Sequence, residues 1–302
     1  MHVLIYTLNI VFINEMILEW LRGREVMDQV IVITGLAQGM GREVAKMLAA
    51  GGAAVAGFDR DPAGIESLKA ELDEMGGKHY LIPLDITDRP GILEFRDTAL
   101  EKFKRVDTVL SNVGIGFFGP FEEVILEDAL KCFEINVIGA AAVFQAFLPS
   151  MREQRAGKLI AMSSLVAQVP FPFESIYSAS KFALEGLVLS LRYEVEPFGI
   201  RVALIEPAQV STTFAAEIHK LPPEGSPYRD RARRFIERDK ELIKTAPDPV
   251  QAAERIVQVI AQDKPRLHSQ VDFMSTLFLG LNRYLPRSIR DRILLKHMDI
   301  QV

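Results

Sequence analysis

Tyr177 and Lys181 lie four positions apart in the segment IYSASK, so on a helix their side chains leave the same face one turn apart. An ammonium beside a phenol stabilises the phenolate, draws the tyrosine pKa towards neutral pH, and can also hydrogen-bond a ribose. Taken alone, such a pair is more often an ordinary surface Tyr and Lys. Ser164 adds to it: this residue ends the run KLIAMSS thirteen positions before Tyr177, so a strand-end hydroxyl and a helix-borne phenol could meet around one carbonyl oxygen. Its neighbour Ser163 is expected to point elsewhere. Asn136, in FEINVIGA, is either a packing or capping amide or the holder of a water behind the lysine. The set suits proton transfer to and from an alcohol or carbonyl oxygen.

A second group of residues suits a dinucleotide. In TGLAQGMG, Gly35, Gly39 and Gly41 stand between a β-branched run and a helical one, with Gln38 and Met40 in the same turn. Glycine there permits a tight turn and close approach of a diphosphate to N–H groups at a helix N-terminus. Asp59 follows Gly35 by 24 positions at the end of the next strand, where a carboxylate can accept from both ribose hydroxyls and favours NAD. Arg60 keeps NADP open, because a guanidinium can pair with a 2′-phosphate. Asp85 and Ile86 after the third strand, and Asn112 and Gly114 after the fourth, are expected on the cofactor wall, with loop capping and turn geometry as their alternative uses. No Gly-Lys-Ser/Thr ending follows the glycines, which excludes a Walker phosphate loop.

The elements that must position these groups alternate strand and helix. Strands are expected at 30–34, 53–58, 80–84, 106–110, from 157 to Ser164, and at 200–206, with a final edge strand at 266–271. Helices are expected between them, including 124–148 and 177–196. The pattern predicts one α/β domain, doubly wound and Rossmann-like, with a mostly parallel sheet flanked by helices. Its span is taken as 28–272, with a variable substrate insertion at 211–249. An apolar extension at 1–27 precedes it and an amphipathic one at 273–302 follows. The charged stretch YRDRARRFIERDKELIK in the insertion reads as a solvated helix face.

Composition narrows the class further. With 302 residues, 49% hydrophobic and 25% charged, the chain is too apolar for disorder, and its net charge of −5 gives no footprint for nucleic acid. The single cysteine, Cys132, precludes an intrachain disulfide and a multi-cysteine zinc site, and the five histidines show no ligand spacing, so no metal is expected. A cytoplasmic protein is the expectation. The apolar N-terminus lacks the basic region and cleavage site of a secretory signal, and peripheral membrane contact stays an alternative for the two extensions.

The chain resembles the short-chain dehydrogenase/reductase family, densely over 28–212 and loosely to 271. TGLAQGMG is similar to the family's TGxxxGxG, SNVG at 111–114 to its NNAG, and Asn136, Ser164, Tyr177 and Lys181 to its catalytic tetrad. The resemblance implies about seven parallel strands and homodimers or homotetramers built on outer helices. It also implies a Pro-Gly pair and a threonine near the nicotinamide, here Pro207, Ala208 in place of the glycine, and Thr212. Ser111 and Val113 depart from NNAG in a turn that supports the cofactor wall.

The implied function is NAD(P)-dependent interconversion of an alcohol and a carbonyl compound, with Tyr177 as acid and base. Phe118, Phe171, Phe173 and Phe214 are candidates to line a pocket for an apolar or aromatic substrate, although each is as readily core. Two other readings stay open: a nucleotide-binding scaffold with little turnover, and a membrane-associated lipid, steroid or retinoid dehydrogenase.

Overall fold

Strand β1 (Val30–Thr34) has all five residues buried, as expected where helices cover both faces of a parallel sheet. The computed structural model describes residues 26–211 and 221–301. In chain order β1 is followed by α1 (Gly39–Ala50), β2 (Ala54–Asp59), α2 (Pro62–Glu74), β3 (His79–Pro83), α3 (Arg89–Phe103) and β4 (Thr108–Ser111). Next come α4 (Leu126–Phe133), a π-helical turn (Glu134–Gly139), α5 (Ala140–Gln154), β5 (Gly157–Met162), α6 (Ser175–Val195) and β6 (Ile200–Ile205). The chain then forms α7 (Arg229–Thr245), α8 (Pro249–Ile260), β7 (His268–Ser269), α9 (Phe273–Tyr284) and α10 (Arg287–His297).

The seven strands pair in the order β3-β2-β1-β4-β5-β6-β7, and every pairing is parallel. The chain winds outward from β1 to β3 and then returns to the other side of β1 as β4. Thr34 sits beside Ser111 in that register, so the turns leaving β1 and β4 diverge and open a crevice at their carboxyl ends.

Alternate residues of each strand feed two cores. Ile31 and Ile33 pack with Val44 and Leu48 of α1, Ile65 and Leu68 of α2, and Ile256 and Ile260 of α8. Val30 and Val32 face Phe95 of α3, Phe144 and Phe147 of α5, and Val188 of α6. Among the described residues, the continuous helical segment Leu126–Gln154 is long and apolar enough to cross a membrane. Here Val143, Phe144, Phe147 and Met151 from that segment are buried in the sheet core.

Several boundaries differ from those read in the sequence. The helix expected over 124–148 is interrupted by the π turn and runs on to Gln154. The final strand contracts to two residues, because only His268 and Ser269 pair with β6. The charged stretch of the insertion forms α7, which buries Ala232, Phe235, Ile236 and Asp239; Arg233 and Arg234 are exposed, whereas Arg231 and Arg238 are half-buried and donate to the Ile300 and His297 carbonyls. Thr212, Phe214 and nearly all of the N-terminal extension lie outside the described residues.

Candidate active site

The glycine turn is built by packing that excludes side chains. Gly35 has φ +71° and Gly39 φ +59°, conformations that L side chains rarely adopt. A Cβ on Gly41 would lie 2.2 Å from the Gly35 carbonyl oxygen, so α1 begins against the turn itself. The Asn112 side chain donates to that same carbonyl at 2.8 Å, joining the β1 and β4 turns. Helices α2, α3, α8 and α9 each have an Asp side chain capping their first turn, whereas Gln38 makes no such bond to α1. The amides at the start of α1 therefore face the cavity wall formed by Gly35, Gln38, Gly39 and Met40.

The same cavity, about 290 Å³, is lined by Asp59, Arg60, Asp85, Ile86, Asn112 and Gly114. Asp59 accepts from Ala37 N at 3.1 Å and from Asp61 N at 3.0 Å, which fixes its carboxylate at the end of β2. Asp85 accepts from the Thr87 amide and hydroxyl at 2.9 and 2.8 Å, so it caps its own loop while lining the wall, and these bonds lower its pKa. Pro207 and Ala208 close the far side. Ala208 is absent from the non-glycine residues with positive φ, so this backbone does not require the glycine it replaces.

Ser164, Tyr177 and Lys181 converge on this cavity. Ser163 and Ser164 follow β5 and diverge as expected: the Ser163 hydroxyl donates to Glu185 at 2.7 Å, and Ser164 interacts with the Tyr177 hydroxyl. Burial, and to a smaller degree the nearby Glu174 and Cys132 charges, raise the Tyr177 pKa, which the Ser164 hydroxyl opposes. The lowering expected from Lys181 does not prevail, because Lys181 is itself buried and donates to the Met162 carbonyl at 2.7 Å. Burial lowers the Lys181 pKa to about 8, against opposing contributions from Cys132 and Glu185.

Asn136 stands behind this group and acts as a clamp. Its Oδ1 accepts from Ile115 N at 2.7 Å, while Nδ2 donates to Ile115 O at 2.9 Å and to Ser180 Oγ at 3.0 Å. Ser180 in turn donates to the Tyr177 carbonyl at 2.7 Å. The amide thus ties the loop after β4 to α6.

Of the described phenylalanines expected at the substrate (Phe118, Phe171 and Phe173), Phe171 alone lines the cavity. Phe118 and Phe173 pack against Phe235 of α7 instead, with ring centroids 5.4 and 5.9 Å from it. Sequence reasoning missed Glu174, Gln209, Val210, Asp239, Ile243, Met274, Phe278 and His297, which are among the other residues of the wall. Glu174 could have been noticed, since it precedes Tyr177 by three positions; α9 and α10 reach the cavity only through tertiary packing. Likewise, sequence spacing did not disclose that Glu185, Glu206 and His268 bring ligand atoms within 4.8 Å of one another. Hydrogen bonds from Ser163, His268, Gln168 and Gln270 engage their carboxylates.

A family profile described as short chain dehydrogenase matches residues 29–222. The chain belongs to the short-chain dehydrogenase/reductase family. It is similar to a 3-ketodihydrosphingosine reductase of Bacteroides thetaiotaomicron, 30% identical over 264 residues that cover 85% of this chain and 93% of the relative. Human 17-beta-hydroxysteroid dehydrogenase type 1 is 29% identical over 276 residues, covering 84% and 80% of the two chains. A solved short-chain dehydrogenase from Streptomyces avermitilis superposes with a TM-score of 0.74 at 30% identity, over 90% of this chain and 96% of that one.

As a short-chain dehydrogenase/reductase, the protein is an NAD(P)-dependent oxidoreductase. The crevice fits such a dinucleotide: the glycine turn leaves room for a diphosphate at the uncapped start of α1, and Asp59 and Arg60 offer ribose-edge groups. A Cβ on Gly114 would stand 3.3 Å from Lys181 Nζ, so the bare glycine keeps the wall beside the lysine open.

Proposed function

We propose that this enzyme interconverts a secondary alcohol and a ketone, or an alcohol and an aldehyde, on an apolar substrate, with Tyr177 as general acid and base. The observation that carries this reading is the meeting of Ser164 and Tyr177 where the polar crevice passes into a wall of Phe171, Val210, Ile243, Met274 and Phe278. The dinucleotide, when bound, supplies or accepts the hydride. Ser164 and Tyr177 hold the substrate oxygen by hydrogen bonds and so meet the negative charge that develops there. In reduction the Tyr177 hydroxyl gives its proton to that oxygen, a role suited to a phenol kept protonated by burial. In oxidation the proton returns to Tyr177, with the Lys181 ammonium nearby to stabilise the phenolate.

NAD is the preferred cofactor in this proposal, because the Asp59 carboxylate at the ribose end repels a 2′-phosphate, and Arg60 is the feature that would accommodate NADP. An apolar substrate also agrees with the names of the sphingosine and steroid enzymes reported above. Homo-oligomerisation, as a homodimer or homotetramer, is supported by the exposed Leu126 and Leu130 of α4 and Phe182 of α6.

The test follows absorbance at 340 nm with NAD or NADP and a series of apolar secondary alcohols, for the native protein and for Tyr177→Phe. Loss of turnover by about 10²–10⁴-fold with cofactor binding retained is expected. Equal turnover in the variant would remove Tyr177 from the chemistry, and binding without turnover in both proteins would favour the scaffold reading.

A further inference from the structure

The catalytic cavity holds two carboxyl groups for which hydride and proton transfer have no use. Glu174 is the residue immediately before α6, one helical turn ahead of Tyr177, and is 7% exposed. Asp239 of α7 lines the same cavity and is 6% exposed. Gln209 donates its side-chain amide to Asp239. The Glu174 carboxyl, by contrast, has no hydrogen-bond partner among the described residues, although it lies in the cavity wall. A carboxyl removed from water in this way is costly unless something supplies a donor or an opposite charge.

Among the described residues, the cations lining the cavity do not supply that charge to Glu174. Arg60 belongs to the ribose end beside Asp59, and Lys181 is held by the Met162 carbonyl. His297 on α10 lines the same cavity, where burial and Arg238 favour its neutral form. Among the described residues, the groups that act electrostatically with Glu174 are Tyr177 of α6 and Asp239 of α7, both acidic. Around them the wall is apolar, formed by Phe171, Val210, Ile243, Met274 and Phe278.

We propose that Glu174 and Asp239 form a receptor for a protonated amine, so that the preferred substrates are amino alcohols or amino ketones with an apolar remainder. The nitrogen lies within a few bonds of the reacting carbon, because Glu174 and Tyr177 are separated by a single helical turn. This inference rests on the reading of Tyr177 as acid and base. An ammonium is favoured over a hydroxyl because two acidic groups share the site. A hydroxyl supplies a hydrogen bond but no charge, whereas an ammonium donates to both carboxyl groups and offsets one negative charge, so that the pair need not keep a proton.

Protonation of the pair agrees with this arrangement. Burial, and then Asp239, hold Glu174 up to about 8, while burial raises Asp239 to about 6 against the Gln209 hydrogen bond. At neutral pH the pair thus keeps a proton that an arriving ammonium displaces.

The test compares 2-aminododecan-3-ol with dodecan-3-ol, using NAD and full-length protein. The aminated probe is expected to show at least tenfold higher kcat/KM, and Glu174→Gln should reduce that ratio at least tenfold. Asp239→Asn should move it in the same direction, which guards against a folding defect in either variant. Calorimetric binding of the aminated probe at pH 7 in buffers of different ionisation enthalpy should reveal proton release, absent in Glu174→Gln. Equal or lower kcat/KM for the aminated probe, or a ratio unchanged in both variants, overturns the receptor. If neither alcohol is oxidised, binding decides: a preference for the aminated probe that Glu174→Gln removes upholds the receptor and rejects the secondary-alcohol reading. Absence of that preference rejects the receptor whatever the turnover.

Discussion

The Lys181 ammonium donates to the Met162 carbonyl at 2.7 Å and stands 5.8 Å from the centroid of the Tyr177 ring. The end of β5 therefore fixes a charge that α6 carries, and the phenol is presented to it at a set distance. With the Lys181 pKa lowered to about 8 by burial, its charge is present below that pH and is lost above it. The kcat/KM for ketone reduction should fall as pH rises through about 8. Lys181→Arg, whose guanidinium does not titrate in this range, should lose that limb at whatever activity it retains. A pH–rate profile of the two proteins checks this.

Removing the Asn136 clamp should cost both stability and rate. Asn136→Ala deletes the bonds to Ile115 N, Ile115 O and Ser180 Oγ, so the loop after β4 loses its tie to α6. A loss of about 1–3 kcal/mol is expected from the unpaired backbone groups. It should be read as a lower urea midpoint at unchanged slope. The kcat should fall as well, because Ser180 links the clamp to the Tyr177 backbone.

Cofactor choice should turn on Asp59 and Arg60. Asp59→Ser removes the carboxylate that opposes a 2′-phosphate and should shift the NADH/NADPH affinity ratio at least tenfold towards NADPH. Arg60→Ala should shift it the other way. Fluorescence titration with both reduced cofactors measures each ratio. Asp59→Ser also loses acceptors for Ala37 N and Asp61 N, so some weakening towards both cofactors accompanies the change in preference.

Glu174 makes stability depend on pH with a definite sign. Its pKa is raised from 4.5 to about 8 in the folded protein, mainly by burial. Between those values the folded state retains a proton that the unfolded chain has released, so this group's contribution to stability falls as pH rises. Glu174→Gln should therefore gain on the native protein from pH 5 to pH 8 by a few kcal/mol, at roughly 1.4 kcal/mol per pKa unit. Denaturant unfolding at the two pH values gives the difference directly.

The parts of this site that could be read from sequence are those carried by short segments. TGLAQGMG, Asp59 and the Tyr177–Lys181 spacing each combine residue type with local geometry, and the alternation of strand and helix places them at the carboxyl ends of the strands. Phe118 and Phe173 misled because an aromatic residue beside a cleft fits a core equally well, and here Phe235 of α7 draws both away. Glu174 and Asp239 come to line one cavity only once α7 has docked. Met274, Phe278 and His297 depend in the same way on how α9 and α10 dock, a long-range outcome that periodicity cannot disclose.

The π turn at Glu134–Gly139 lets this part of the chain absorb a change of length. Such a turn accommodates an extra residue within an otherwise regular helix. Deleting one residue there would restore the regular winding and leave the two flanks close to their present rotational phase. Ala129 and Cys132 would keep their packing, and Phe144 and Phe147 would stay on the sheet. The cost of a single-codon deletion would fall on the turn itself, where Asn136 would be displaced while the core around it stays in register.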